Sequence, residues 1–125
     1  MTLSDSIGAL FDQWNDALQT LDPDQVVALY ADDAILLPTI SNDVRLSHSE
    51  LRDYFVSFLQ QQPRGVINES NIRNLGDIGV HSGVYTFTLT ADGQTSEAQC
   101  RFTFVYAKHD DGWKIIEHHS SFMPE

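Results

Sequence analysis

EAQCRFTFVYAKHDDGWKIIEHHSS, residues 97–121, is the stretch whose reading decides the fold. It reads as two long strands joined by a tight turn. The first is expected over Gln94–Ala107. Side chains alternate along a strand, so Ala98, Cys100, Phe102, Phe104 and Tyr106 share one face, and Gln99, Arg101, Thr103 and Val105 share the other. Two Phe and a Tyr on one face require a packed partner layer. Asp111-Gly112 supplies turn chemistry. Trp113–Phe122 returns, and its ladder fixes the register of the pair.

Upstream segments are read as a wrap around this ribbon. Ile7, Leu10, Phe11, Trp14, Leu18 and Leu21 recur at helical spacing, with Ser4 as N-cap and Asp5 favourable at the dipole. Asp22-Pro23-Asp24-Gln25 opens a second helix through a capping box, with Val26, Val27, Leu29 and Tyr30 as its apolar stripe. Ala34–Leu37 is a short strand stopped by Pro38. A polar loop comes next, and Ser47-His48-Ser49-Glu50 caps a third helix bearing Leu51, Tyr54, Phe55, Phe58 and Leu59. Further strands are expected over Val66–Leu75 and Val80–Thr90, the latter with Tyr85, Phe87 and Leu89 on one face, and Asp92-Gly93 turns the last hairpin but one. Helices grouped before an antiparallel meander indicate an α+β fold, in which a curved sheet encloses the helices as a cone open at one end.

The length, 125 residues, fits one domain spanning 1–125. Eighteen acidic residues against seven basic give a net charge of -11, and no Lys or Arg precedes Arg45. A field of that sign repels phosphate backbones and anionic lipid, so neither nucleic acid nor a membrane surface is expected as a partner. The single Cys100 cannot form an intramolecular disulfide, and the opening MTLSDS lacks the pattern of a secretory signal. A cytoplasmic setting is expected. No motif calls for a cofactor or a metal: Gly-rich phosphate loop, nucleophile elbow and His-Glu-x-x-His are all missing, and Asp32-Asp33 and Asp110-Asp111 read as a helix end and a turn.

The order of elements and the strings WNDAL, LYADDAILLPT, GVYTFTL, RFTFVY and DGWKIIEHHSS resemble the nuclear transport factor 2-like superfamily. Within it they are most similar to bacterial stand-alone relatives of the calcium/calmodulin-dependent protein kinase II association domain. That resemblance implies a cystatin-like cone of three N-terminal helices in a curved antiparallel sheet. It also implies self-association as a homodimer or a larger ring. The likeness to ketosteroid isomerase-like members implies a carboxylate base just before the Pro, where this chain has Leu37, and an oxyanion-donating Tyr where it has Trp14. The association-domain likeness implies a pocket lined by basic residues, the last of which falls at Ser120, and a matching His at His119.

The candidate site residues are therefore Trp14, Tyr54, Arg101, His118, His119 and Ser120. His118 and His119 titrate near neutral pH but point to opposite faces of one strand, so they cannot share a metal without a bulge. Their structural alternative is one ring packed and one in solvent. Arg101 could clamp the carboxylate of a small anionic ligand, or pair with a nearby acid. Trp14 and Tyr54 carry polar tips that could edge a cavity, although an aromatic helix stripe is more often core. Cys100, mid-strand, is a poor nucleophile. Three readings result: a homo-oligomeric cone binding a small organic ligand, an isomerase or lyase of small carbonyl compounds using His119 as base, and an assembly module with a filled cone. In the first, the outer sheet face carrying Val84, Thr86, Thr103 and Val105 is the expected contact between copies.

Overall fold

The computed structural model describes residues 3–39 and 41–124, with side chains from Ile7 onward. The expected cap residues Ser4 and Asp5 lie outside the described side chains. Three helices, α1 (Leu3–Gln19), α2 (Pro23–Val27) and α3 (His48–Phe58), are interleaved with β1 (Tyr30–Leu37) and followed by β2 (Arg64–Asn74), β3 (Ile78–Ala91), β4 (Gln94–His109) and β5 (Gly112–Phe122). The sheet has five strands in the order β1-β5-β4-β3-β2. The architecture is α+β, as the sequence pattern indicates.

The local signals act where expected. The Asp22 side chain accepts the Asp24 N–H at 3.0 Å and starts α2. Ser47 accepts the Glu50 N–H at 3.3 Å, while the Glu50 carboxylate takes the Leu46 N–H at 3.0 Å, one residue upstream of an ideal capping box. Asp92 and Gly93 both take positive φ, 55° and 75°, as a two-residue hairpin between Ala91 and Gln94 needs. In the β4–β5 turn the loop is Asp110-Asp111, one residue earlier than expected, and Gly112 at φ 116° is already paired with His109.

Two apolar assignments are corrected. Tyr30 opens β1 rather than ending α2, and Leu21 lies beyond α1, 50% exposed at φ 61°. β1 is also longer than its apolar run. It joins the sheet edge by parallel pairing with β5 (Leu36 opposite His118, Leu37 opposite His119), and Arg45 closes a two-way bridge to Leu36 at 2.9 and 3.0 Å. That bridge occupies the Leu36 N–H and C=O, which would otherwise be left open at a sheet edge.

The core sits between α1 and α3 and the concave face of the sheet. Ile7, Phe11, Trp14 and Leu18 of α1 are buried against Tyr85, Phe87, Phe102 and Phe104. Inward and outward faces of β4 are as the alternation requires: Phe102 and Phe104 buried, Arg101 exposed. A side-chain clamp adds direction to this packing, since Asn15 donates to the Gly65 carbonyl at 3.0 Å and accepts the Gly65 N–H at 2.9 Å. It ties the middle of α1 to the start of edge strand β2.

Gly83 pairs with Ser70, one step beyond the β2 irregularity between Ile67 and Glu69. A Cβ built there would lie 1.9 Å from the Glu69 carbonyl oxygen, a backbone atom that cannot swing aside. Gly83→Ala is therefore expected to destabilise by about 2–3 kcal/mol, the range of overpacking with backbone displacement. Chemical denaturation checks it, and an unchanged midpoint would show that the β2 bulge relaxes freely.

Candidate functional site

A second irregularity decides the site. In the β4–β5 ladder, Val105 faces Glu117 and Tyr106 faces Ile115, so Ile116 is an extra residue in β5. One added residue reverses the inward-outward phase of the rest of the strand. Ile115 points in before the bulge, and His118 and Ser120 point in after it, buried to 3% and 6% exposure. His119 and Glu117 face out and are exposed.

His118 is enclosed on all sides. Its ring stacks on Phe104, its cross-strand neighbour, with centroids 3.9 Å apart and planes at 15°, and meets Trp14 edge-on at 5.4 Å. Both ring nitrogens are engaged: Nδ1 lies 2.9 Å from the Tyr30 hydroxyl and Nε2 lies 3.3 Å from the Tyr85 hydroxyl. Trp14 donates its indole N–H to the same Tyr30 oxygen at 3.1 Å. Burial, and secondarily the neighbouring His119, pushes the His118 pKa down to about 3. Burial likewise raises the phenols of Tyr30, Tyr54 and Tyr85, so these groups are neutral near pH 7.

Beside this cluster, at the open end of the cone, lies a narrow cavity of about 50 Å³. It is lined by Trp14, Leu36, Pro38, Thr39, Tyr54, Phe55, Phe58, Gln61, Tyr85, Phe87, Leu89, Ala98, Cys100, His118, Ser120 and Phe122. No charged side chain is among them. The polar part is a small hydroxyl cluster: Thr39 donates to Ser120 at 2.5 Å, and Tyr85 lines the same cavity. Burial raises the Cys100 thiol pKa, which keeps it protonated and unreactive. Phe122 faces the rim while 53% exposed.

The structure thus brings together four of the six residues singled out from the sequence: Trp14, Tyr54, His118 and Ser120. It separates the other two. Arg101 lies on the outer face between Val84 and Ser121, and His119 lies on that face opposite Thr103 and Leu37. Arg101 is excluded by the alternation of its own strand, and His119 by the bulge two residues before His118. Tyr30, Tyr85 and Thr39 are site residues that sequence reasoning misses. The signal for the tyrosines is present, because a Tyr on an inward face needs a partner for its hydroxyl. Leu36 rather than Leu37 faces the cavity, so this wall is apolar at either position.

A helical layer held in a curved five-stranded sheet, with a cavity at the open end, is the nuclear transport factor 2-like, or cystatin-like, cone. The family model for the calcium/calmodulin dependent protein kinase II association domain matches residues 4–124, and the chain belongs to that family. A Xanthomonas campestris protein assigned to the same association domain is 53% identical, with a TM-score of 0.95 over 96% of this chain and 87% of that one. A nuclear transport factor 2-like superfamily protein from Salmonella enterica superposes with a TM-score of 0.84 at 17% identity, covering 98% of this chain and 92% of its own. A ketosteroid isomerase-like protein from Erwinia carotovora atroseptica gives 0.77 at 20% identity, covering 98% and 97%. These last two share the fold. A search among curated proteins returns no match. Among the described residues, no helix is long and apolar enough to cross a membrane.

The buried imidazole gives stability a pH dependence of definite sign. A free His titrates near 6.5. Below that pH the unfolded chain binds a proton that folded His118 refuses until about pH 3, so folding loses stability as pH falls through this window. The loss from this group approaches about 1.4 kcal/mol per pH unit. Burial lowers the His81 pKa and adds in the same direction. Urea titrations from pH 7 to 4 are expected to show a steeper acid limb for the native chain than for His118→Phe, by about that slope. Parallel limbs would show that His118 is protonated at no cost.

Proposed function

We propose that this chain is a self-associating domain, 1–125, that holds a small uncharged organic molecule in its cone, and that it binds rather than transforms that molecule. The observation that carries the reading is the state of His118. Its two nitrogens are both engaged by tyrosine hydroxyls and its pKa lies near 3, so at neutral pH it has no lone pair to offer a substrate proton. Carbonyl isomerase or lyase chemistry would need His119 as its base, and His119 is on the far side of the sheet. An anionic ligand would need Arg101, which is on the far side as well.

Support for self-association comes from the family and from the outer sheet face. There Ile35, Leu37, Val80, Val84, Val105 and Thr103 are all only half-buried, forming an apolar patch that a second copy can cover. A homodimer is the minimal assembly, and a larger ring is built from the same contact. The free, protonated Cys100 suits a reducing, cytoplasmic setting.

A second reading, the assembly module without a ligand, is favoured by one number. The cavity of about 50 Å³ has room for only about three to five waters at roughly 10–15 Å³ each. Any organic occupant must be small, or must displace Phe122 from the rim.

Sedimentation velocity at micromolar concentration is expected to give a dimer or larger species. Val84→Lys with Val105→Lys puts like charges across the contact and is expected to weaken it at least about 100-fold, some 3 kcal/mol. A monomer for the native chain, or an unchanged assembly for the double variant, would remove the outer face from the proposal.

A further inference from the structure

The hydrogen bonds around His118 have a direction, and one side chain sets it. An indole N–H can only donate. The Tyr30 oxygen therefore accepts from Trp14 at 3.1 Å. Tyr30 is 1% exposed, and its own proton has His118 Nδ1, 2.9 Å away, as its acceptor. Leaving that proton unpaired would cost about 1–3 kcal/mol. Nδ1 is thus the acceptor nitrogen, and the neutral ring carries its hydrogen on Nε2. Nε2–H then donates to the Tyr85 oxygen at 3.3 Å.

The chain of donors ends in the cavity with one proton left over. Tyr85, Ser120 and Thr39 bring three hydroxyl protons, and Thr39 spends its own on Ser120. Even where Tyr85 and Ser120 meet each other, only one of their two protons is used between them, so at least one O–H of the pair is unspent. Cys100, whose sulfur is only a weak acceptor, lines the same cavity. The surrounding walls are aromatic and aliphatic and carry no charge.

We propose that the cone selects an uncharged, compact molecule bearing one strong hydrogen-bond acceptor of the carbonyl class, seated on the unspent hydroxyl of the Tyr85–Ser120 pair. This rests on the proposed ligand-binding role and adds the chemistry of the ligand. A carboxylate is rejected because desolvating its charge finds no cation to meet it. A hydrocarbon of equal shape is admitted but leaves the hydroxyl unpaired.

Three probes of equal heavy-atom count separate these cases: cyclopentanone, methylenecyclopentane and cyclopropanecarboxylate. Each is titrated into the intact chain and followed by protein NMR. Cyclopentanone is expected to bind about three- to tenfold more tightly than the hydrocarbon, the worth of one neutral hydrogen bond, and the carboxylate is expected not to bind. Tyr85→Phe with Ser120→Ala is expected to bring the ketone-to-hydrocarbon ratio to about one. Equal binding of ketone and hydrocarbon by the native chain, or binding of the carboxylate, overturns the proposal while leaving a ligand site standing. Failure of all three to bind overturns the ligand site and this proposal with it. The imidazole ¹⁵N shifts of His118 give a readout without any ligand and without the double variant. The Nε2–H tautomer supports the directed chain, and the Nδ1–H tautomer overturns it.

Discussion

One extra residue in β5 governs the interior of this molecule. With Ile116 bulged out of the ladder, the strand turns His118 toward the helices and His119 away from them. The inward imidazole must then be matched by hydrogen bonds, because a buried polar ring without partners is costly. Tyr30 from β1 and Tyr85 from β3 supply those bonds, and Trp14 from α1 meets the ring edge-on while donating to the Tyr30 oxygen. Three elements far apart in the chain are thereby tied to a single ring, whose stacking on Phe104 at 3.9 Å leaves it little freedom. The same enclosure that keeps His118 neutral removes it from acid-base chemistry.

How much of the molecule is legible in its sequence depends on how locally each feature is encoded. The apolar period of α1, the Asp22 and Ser47 caps, the Asp92-Gly93 turn and the alternation of β3 and β4 are set by residues within one or two turns of each other, and all are found. The parallel seat of β1 beside β5 depends on a partner some eighty residues away, and nothing in YADDAILL specifies it. The β5 bulge is of the same kind. KIIEHHSS alternates equally well in either phase, and only the fit of His118 rather than His119 against Phe104 and Trp14 chooses between them. Arg101 is a different case. Its strand places it between Cys100 and Phe102, which face inward, so alternation sends it outward. The family resemblance, with its basic pocket lining, argues for the inner face. Alternation is the sounder guide, because it is imposed by the backbone of this chain.

The fold shared with the Salmonella and Erwinia proteins at 17% and 20% identity fixes the outline of the cone and leaves its contents to the side chains. In this chain the contents are mostly aromatic. Phe55, Phe58, Phe87 and Tyr54 pack from α3 and β3 across the open end, with Phe58 edge-on to Phe87 at 5.5 Å. They reduce the hollow to about 50 Å³. A cone filled this far could have been filled completely, since replacing a polar cluster by well-packed apolar groups is often neutral or stabilising.

The hydroxyls of Thr39, Tyr85 and Ser120 instead stand at the edge of an otherwise apolar hollow. Such a cluster is favourable only if its leftover proton meets an acceptor. A few waters can play that part, as the volume allows. Any molecule that enters must displace them and match what they offered, or it gains apolar contact only by forfeiting a hydrogen bond. The size of the hollow therefore limits how large an occupant can be, while the direction of the donor chain from Trp14 limits what it can be. These two constraints come from separate parts of the molecule, the α3 aromatics and the β5 bulge, and they meet at Tyr85.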